Sequence, residues 1–194
     1  MDRKWKPKDG KDYSLNTHEV LDIVDKPCNV ILFEHIKDYD SISDVFPRDC
    51  FDDELVGRCL INYLYTDNYG HWVGICSRMD EDGVNRIEYF DPYGSFIDEI
   101  IEGFPGIVKI EHNSDYPYLL KLLYESGDDI YYNHFPLQSH SPGSATCGRW
   151  TGYFLRNCTN TDIDEFGKIF MKASKKYKVP RDELITSLTT DLIK

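Results

Sequence analysis

The sequence predicts an α+β fold: a central mixed, largely antiparallel twisted sheet with flanking helices, and a cysteine at the N-terminus of a buried helix. Three observations point there. Residues 58–65, 71–78 and 85–90 are strand-like and follow one another across short turn-rich spacers, the pattern of an antiparallel meander. Val30-Ile31-Leu32-Phe33 is a continuous apolar run of the kind that a strand buried on both faces carries. Beyond Asp91-Pro92-Tyr93-Gly94 the apolar spacing lengthens to threes and fours, which gathers helices at the ends of the domain.

The elements follow in order. Thr17 stands as an N-cap before Val20, Leu21 and Val24, and Lys26-Pro27 ends that short helix. After the apolar run, residues 41–53 read as a polar, aspartate-rich loop. Thr66-Asp67-Asn68-Tyr69-Gly70 and Asp80-Glu81-Asp82-Gly83 supply the two turns of the meander. Phe96, Ile97, Ile100 and Ile101 suggest one helix, and Tyr118, Leu119, Leu122 and Leu123 another. Residues 130–137 read as a strand and 139–144 as a loop. Trp150, Tyr153 and Phe154 share a helical face after Cys147; Ile163, Phe166, Phe170, Ala173 and Tyr177 form a second stripe. Lys175, Lys176 and Lys178 suit the negative end of that helix. Pro180 opens a last helix with Asp182 and Glu183 in its first turn and Leu184, Leu188 and Leu192 expected inward.

A chain of 194 residues, 41% hydrophobic and with ten Phe, 14 Tyr and three Trp, is long enough for one domain over 1–194 with a sizeable core, and too apolar to be wholly disordered. Residues 1–13 read as a charged, flexible tail. No apolar run approaches the ~20 residues of a membrane span, and the charged start shows no signal peptide, so no membrane contact is expected. The net charge of −12 is the reverse of what a duplex-binding surface needs, so nucleic acid is not expected as a main partner. Arg3, Lys4, Lys6, Lys8 and Lys11 are the local basic excess: a solvated tail, or an arm for nucleic acid or an acidic partner. The six cysteines show neither C-x-x-C nor zinc-finger spacing, so no metal and no cofactor is expected, and most read as small buried hydrophobes.

Four residues carry candidate chemistry. Cys147 follows a Gly/Ser/Pro loop and opens a helix, where the positive dipole end lowers a thiol's pKa and favours the nucleophilic thiolate. Gly148 beside it leaves room for a substrate backbone. His71 alternates with Val73 and Ile75, and in a hairpin turning at 80–83 it faces Asp91 to within one residue. A carboxylate there fixes the imidazole tautomer and stabilises the imidazolium that a cysteine nucleophile needs. Gln138, nine residues before Cys147, can donate to a developing oxyanion with the Cys147 backbone N–H as second donor. Each residue also has a structural reading: a buried cysteine, a core-edge histidine, a turn aspartate, a loop glutamine. His140 is the rival base if His71 lies too far away.

Gly70-His71-Trp72-Val73-Gly74-Ile75, Tyr89-Phe90-Asp91-Pro92-Tyr93-Gly94, and Gln138 through Thr146-Cys147-Gly148-Arg149-Trp150 resemble the adenovirus-protease and SUMO-protease superfamily of cysteine peptidases. The short format is most similar to the capsid maturation proteases of adenoviruses, virophages and related large DNA viruses. The likeness runs from about His71 to Phe154, in the chain order His, Asp, Gln, Cys. It implies that Cys147 attacks the carbonyl, His71 acts as base and then acid, Asp91 orients His71, Gln138 helps form the oxyanion hole, and Trp72 walls the site.

The resemblance further implies a viral cysteine endopeptidase that cleaves capsid or core precursor proteins after small residues during virion maturation. It would work as a monomer at the assembly site in the host cytoplasm and in the virion. Three alternatives stand beside it. An isopeptidase for SUMO or another ubiquitin-like modifier would use the same residues. An acetyltransferase would need a basic phosphate-binding cluster that the sequence lacks. A non-catalytic assembly scaffold would have no use for a polarised thiol.

Overall fold

Five strands form one sheet in the order β1-β2-β3-β4-β5, with β1 Asn29–Leu32, β2 Gly57–Thr66, β3 Tyr69–Met79, β4 Asn85–Phe90 and β5 Asp129–Tyr132. The computed structural model describes residues 10–51, 55–66, 69–79, 85–103, 116–141 and 143–194. The expected meander is the centre of the sheet: β2, β3 and β4 are successive and antiparallel. The two edges are parallel to their neighbours, β1 to β2 and β5 to β4. The fold is therefore α+β around a mixed sheet flanked by helices.

Both faces of the sheet are buried. Ile61, Tyr63, Val73, Ile75, Ile87 and Tyr89 point to one side, under the 3₁₀ turn Phe33–Asp38 and helix α3, Tyr118–Ser126. Leu60, Trp72, Cys76 and Phe90 point to the other, under α1, Thr17–Val24, α4, Cys147–Asn157, and α5, Ile163–Tyr177. Between the sheet and these helices Phe90 stacks on Phe154 at 4.6 Å, and Phe166 meets both edge-on at 5.4–5.5 Å. The glycines of this layer let α4 approach closely: a methyl at Gly152 would meet Ile23 and the Val20 carbonyl at 3.1 Å.

Several elements differ from expectation for identifiable reasons. The cap of α1 is Asn16, in a reciprocal capping box with Glu19, so Thr17 is already helical. β1 is an edge strand and only Ile31 in it is fully buried; Phe33, the end of the apolar run, already belongs to the 3₁₀ turn. The loop over 41–53 contains a four-residue helix, α2, Ile42–Val45. The helix expected around 96–101 is a 3₁₀ turn, Glu99–Gly103. β5 covers only three residues of the predicted 130–137 and starts one residue earlier, at Asp129. In the last helix, α6, Arg181–Thr189, the inward residues are Asp182, Ile185, Thr186 and Thr189, while Leu188 is exposed. That inward face is polar and hydrogen-bonded, which hydrophobic spacing does not register.

Residues 1–9 with their basic excess, Asp67, Asn68, the 80–83 turn, His112 and Pro142 lie outside the described residues. Of the tail expected over 1–13, the final part is anchored: the Lys11 carbonyl accepts from the Ala145 N–H at 2.7 Å, and Tyr13 Oη donates to Glu19. No described helix is long and apolar enough to cross a membrane.

Candidate active site

His71 sits near the start of β3, on the same face as Val73 and Ile75. The β3–β4 register pairs Gly74 with Phe90, which sets Asp91 diagonally from His71 and not directly across. The diagonal is within reach of long side chains, and His71 Nε2 meets Asp91 Oδ1 at 2.9 Å with both residues buried. Asp91 leaves the end of β4 into a turn closed by Gly94 N–H to the Asp91 carbonyl at 2.8 Å. Gly94 is required there twice: its φ is +73°, and a Cβ would press on the Phe135 backbone at 2.6 Å.

Cys147 is the first residue of α4, reached through the loop that follows Gln138. His71 lines the same cavity as its thiol, close enough for the sulfur to raise the ring's pKa. Since Nε2 is engaged with Asp91, Nδ1 is the ring nitrogen left for sulfur. Helix position also leaves the Cys147 backbone N–H without an intrahelical acceptor. Gly148 does not leave space for a ligand. A methyl there would meet Val20 at 2.8 Å, Trp72 at 3.2 Å and Leu15 at 3.3 Å, so the glycine lets α4 pack against α1 and the segment before it. Trp72 is buried behind this contact, with Nε1 donating to the Leu15 carbonyl at 3.3 Å.

A cavity of about 140 Å³ opens beside Cys147, lined by Ser14, Tyr65, His71, Tyr93, Gln138 and Ser144 among others. Gln138 is thus brought to the site. Its Nε2 donates to Tyr93 Oη at 3.1 Å and to the Ser144 carbonyl at 3.3 Å, so an oxyanion would have to take one of those two protons. The carbonyl of Ser144 also fixes the amide orientation, because a flipped Gln138 would set two acceptors together. His140 is exposed and does not line the cavity; it stacks on Tyr93 at 4.5 Å.

Two residues escaped the sequence reading. Tyr93 touches three of the four candidate residues: its N–H donates to Asp91 Oδ1 at 2.8 Å, its ring stacks on His71 at 4.9 Å, and its hydroxyl accepts from Gln138. Only its place two residues after Asp91 hinted at this. Asn133, fully buried after β5, accepts from the Asp91 N–H at 2.9 Å and donates to the Asp91 carbonyl at 2.6 Å and the Phe135 carbonyl at 3.2 Å. Nothing local marks it, because its partner is 42 residues away. Asn133→Leu strands the Asp91 N–H and the Phe135 carbonyl, leaves the Asp91 carbonyl only its bond from Gly94, and is expected to cost about 3 kcal/mol in urea unfolding. An unfolding midpoint equal to wild type would show that the clamp contributes nothing.

Burial of the His71 ring works against its charge, but the Asp91 carboxylate and then the Cys147 sulfur outweigh it, and the His71 pKa is pushed up to about 10. The folded value lies above the unfolded ~6.5. The folded state therefore holds the extra proton, and the stability His71 contributes is fully present below pH ~6.5 and lost as pH rises through about 10. The stability difference between wild type and His71→Gln should accordingly shrink across that window in urea titrations. A difference constant with pH would overturn the charged pair. Among the described residues, no three His, Cys, Asp or Glu side chains are grouped to hold a metal ion.

An imidazole hydrogen-bonded to a buried carboxylate and set beside a thiol, near orphan N–H groups at a helix start, supplies the parts that nucleophilic cysteine chemistry requires. The chain is 32% identical over 176 residues to the uncharacterized protein V9 of Sputnik virophage, spanning 91% of this chain and 94% of that one. It belongs to the family of that virophage protein. No family model matches it. Among solved structures it is similar to the ASFV pS273R protease, with a TM-score of 0.49 and 17% identity over 97% of this chain and 71% of the other. It is also similar to the central domain of the uncharacterized Lpg1148 protein of Legionella pneumophila, with a TM-score of 0.39 and 16% identity over 93% and 99%. Both superpositions are too loose to bear on activity.

Proposed function

We propose that this protein is a viral cysteine endopeptidase that trims capsid or core precursors after small residues during virion maturation. The observation that carries the reading is His71 held between Asp91 and Cys147 at the edge of a small cavity. The raised His71 pKa suits a base that takes the proton from the Cys147 sulfur as it attacks. Sγ bonds to the scissile carbonyl carbon, and the oxyanion is received by the Cys147 N–H and the Gln138 amide. His71 gives its proton to the leaving amine as the C–N bond breaks. A water, deprotonated by His71, then releases the acyl group from sulfur as a carboxylate. These steps need no metal or cofactor, since sulfur is the nucleophile and His71 moves the proton.

A cavity of about 140 Å³ has room for few side-chain atoms, which supports cleavage after glycine or another small residue. Kinship with a virophage protein supports a place at the viral assembly site. The test is co-expression with the major capsid proteins of its source, intact and as Cys147→Ala, with mass spectrometry of every terminus. New termini after small residues in the intact sample alone are expected. Identical termini in both samples would sink capsid cleavage; loss of a ubiquitin-like modifier from host proteins in the intact sample would favour an isopeptidase.

A further inference from the structure

We infer that Asp182, on α6, is the positioning residue that holds the oxyanion-binding loop of this site; the inference rests on Cys147 being the nucleophile. Asp182 is almost fully buried, and its carboxylate accepts four hydrogen bonds. Oδ2 takes the Ser139 N–H at 3.0 Å and the Ser144 hydroxyl at 2.9 Å; Oδ1 takes the Thr146 hydroxyl at 2.7 Å and Trp150 Nε1 at 3.1 Å. A carboxylate offers about four acceptor positions, so this one is filled. Three of its donors belong to the stretch joining Gln138 to Cys147, and the fourth lies one turn into α4.

The rest of that loop is fixed from outside it. Both Leu137 and Gln138 N–H groups donate to the Pro92 carbonyl at 2.9 Å, beside Asp91, and the Ala145 N–H is held by Lys11. Asp182 ties the interior: Ser144 is bonded to it through the hydroxyl while the Ser144 carbonyl takes the Gln138 amide. Thr146, the residue before Cys147, turns its hydroxyl to Asp182 and makes no side-chain cap to α4. The spacing of the two expected oxyanion donors, the Gln138 amide and the Cys147 N–H, is therefore set by a residue 35 positions beyond the nucleophile. Charge is not the purpose, because a negative group near the start of α4 opposes a thiolate there.

The conservative variant separates these roles. In Asp182→Asn one acceptor becomes a donor; the Ser144 hydroxyl can turn round to meet it, but the Ser139 N–H cannot. Two probes report different things. Iodoacetamide reads the Cys147 thiolate and needs no oxyanion donor. The p-nitrophenyl ester of N-acetylglycine reads acylation, by release of nitrophenolate, and does need one. Asp182→Asn is expected to lower kcat for the ester about 100-fold with KM within about threefold. Its iodoacetamide rate and the pH midpoint of that rate should stay within about threefold and about 0.3 unit of wild type. Ser144→Ala, which removes one bond and keeps the carboxylate, is expected to lose about tenfold in the ester reaction alone, and it decides the matter if Asp182→Asn does not fold.

Ester turnover within about threefold of wild type in both variants would overturn the inference. So would equal losses in the two reactions, which would mean that the thiol itself is displaced, or a faster ester reaction with a lowered alkylation midpoint, which would make Asp182 an electrostatic residue. Wild type that releases no Cys147-dependent nitrophenolate overturns the nucleophile as well. Wild-type turnover with unimpaired variants overturns the Asp182 role alone.

Discussion

His71→Gln is expected to lower peptide cleavage by about 10⁴-fold while lowering p-nitrophenyl ester turnover only about 10²-fold. Glutamine matches the length of the lost hydrogen bonds but neither takes nor gives a proton. Without the imidazole, nothing takes the proton from the attacking sulfur, and both reactions suffer from that. The amide suffers again, because an amine leaves only when protonated and nitrophenolate leaves unaided. The unequal losses are the signature of a group that is base and then acid. Equal losses in the two substrates would reduce His71 to a group that orients the thiol. Unimpaired peptide cleavage would remove it from the reaction and return His140 to consideration.

Asp91→Asn is expected to lower peptide cleavage by about 10²- to 10³-fold and to move the pH dependence of Cys147 alkylation upward. The asparagine carbonyl can occupy the place of Oδ1 and keep the bonds from His71 Nε2 and the Tyr93 N–H, so geometry and tautomer survive. What disappears is the negative charge. Burial of His71 lowers its affinity for a proton, and Asp91 is the largest influence opposing that burial. With the charge gone, less opposes the burial of the ring, so His71 holds its proton less firmly and is a poorer acceptor for the proton on sulfur. An alkylation profile identical to wild type would show that Asp91 acts by orientation alone.

The site was readable in outline because its parts lie in short local contexts. A histidine on an alternating strand, an aspartate before a Pro-Tyr-Gly turn and a cysteine at a helix start each carry a signal within a few residues. Their roles as acid, base and nucleophile are the proposal that the two variants above test. The hairpin register alone predicted that His71 and Asp91 come together, and it erred only in making a diagonal pair a direct one. Gly148 shows the limit of such reading. Next to a cysteine, a glycine suggests ligand access; in the fold it is filled by Val20, Trp72 and Leu15, two of which are more than 120 residues away in sequence. Likewise the Gln138 amide could be placed near Cys147, but not its commitment to Tyr93 and Ser144.

By itself the sequence determined the meander, the helices α1, α3, α4 and α5, and the residue types available for chemistry, because hydrophobic period, turn residues and helix-end signals act over a few residues. Only the tertiary structure decided that both sheet edges are parallel, that the run at Val30 lies at an edge, and that α6 turns its polar side inward. It alone brought Asn133 to the Asp91 backbone and Asp182 to the loop before Cys147. The physical reason is common to these cases. A buried polar group must find a partner, the partner is chosen by where the chain returns in space, and hydrophobic periodicity carries no record of that choice.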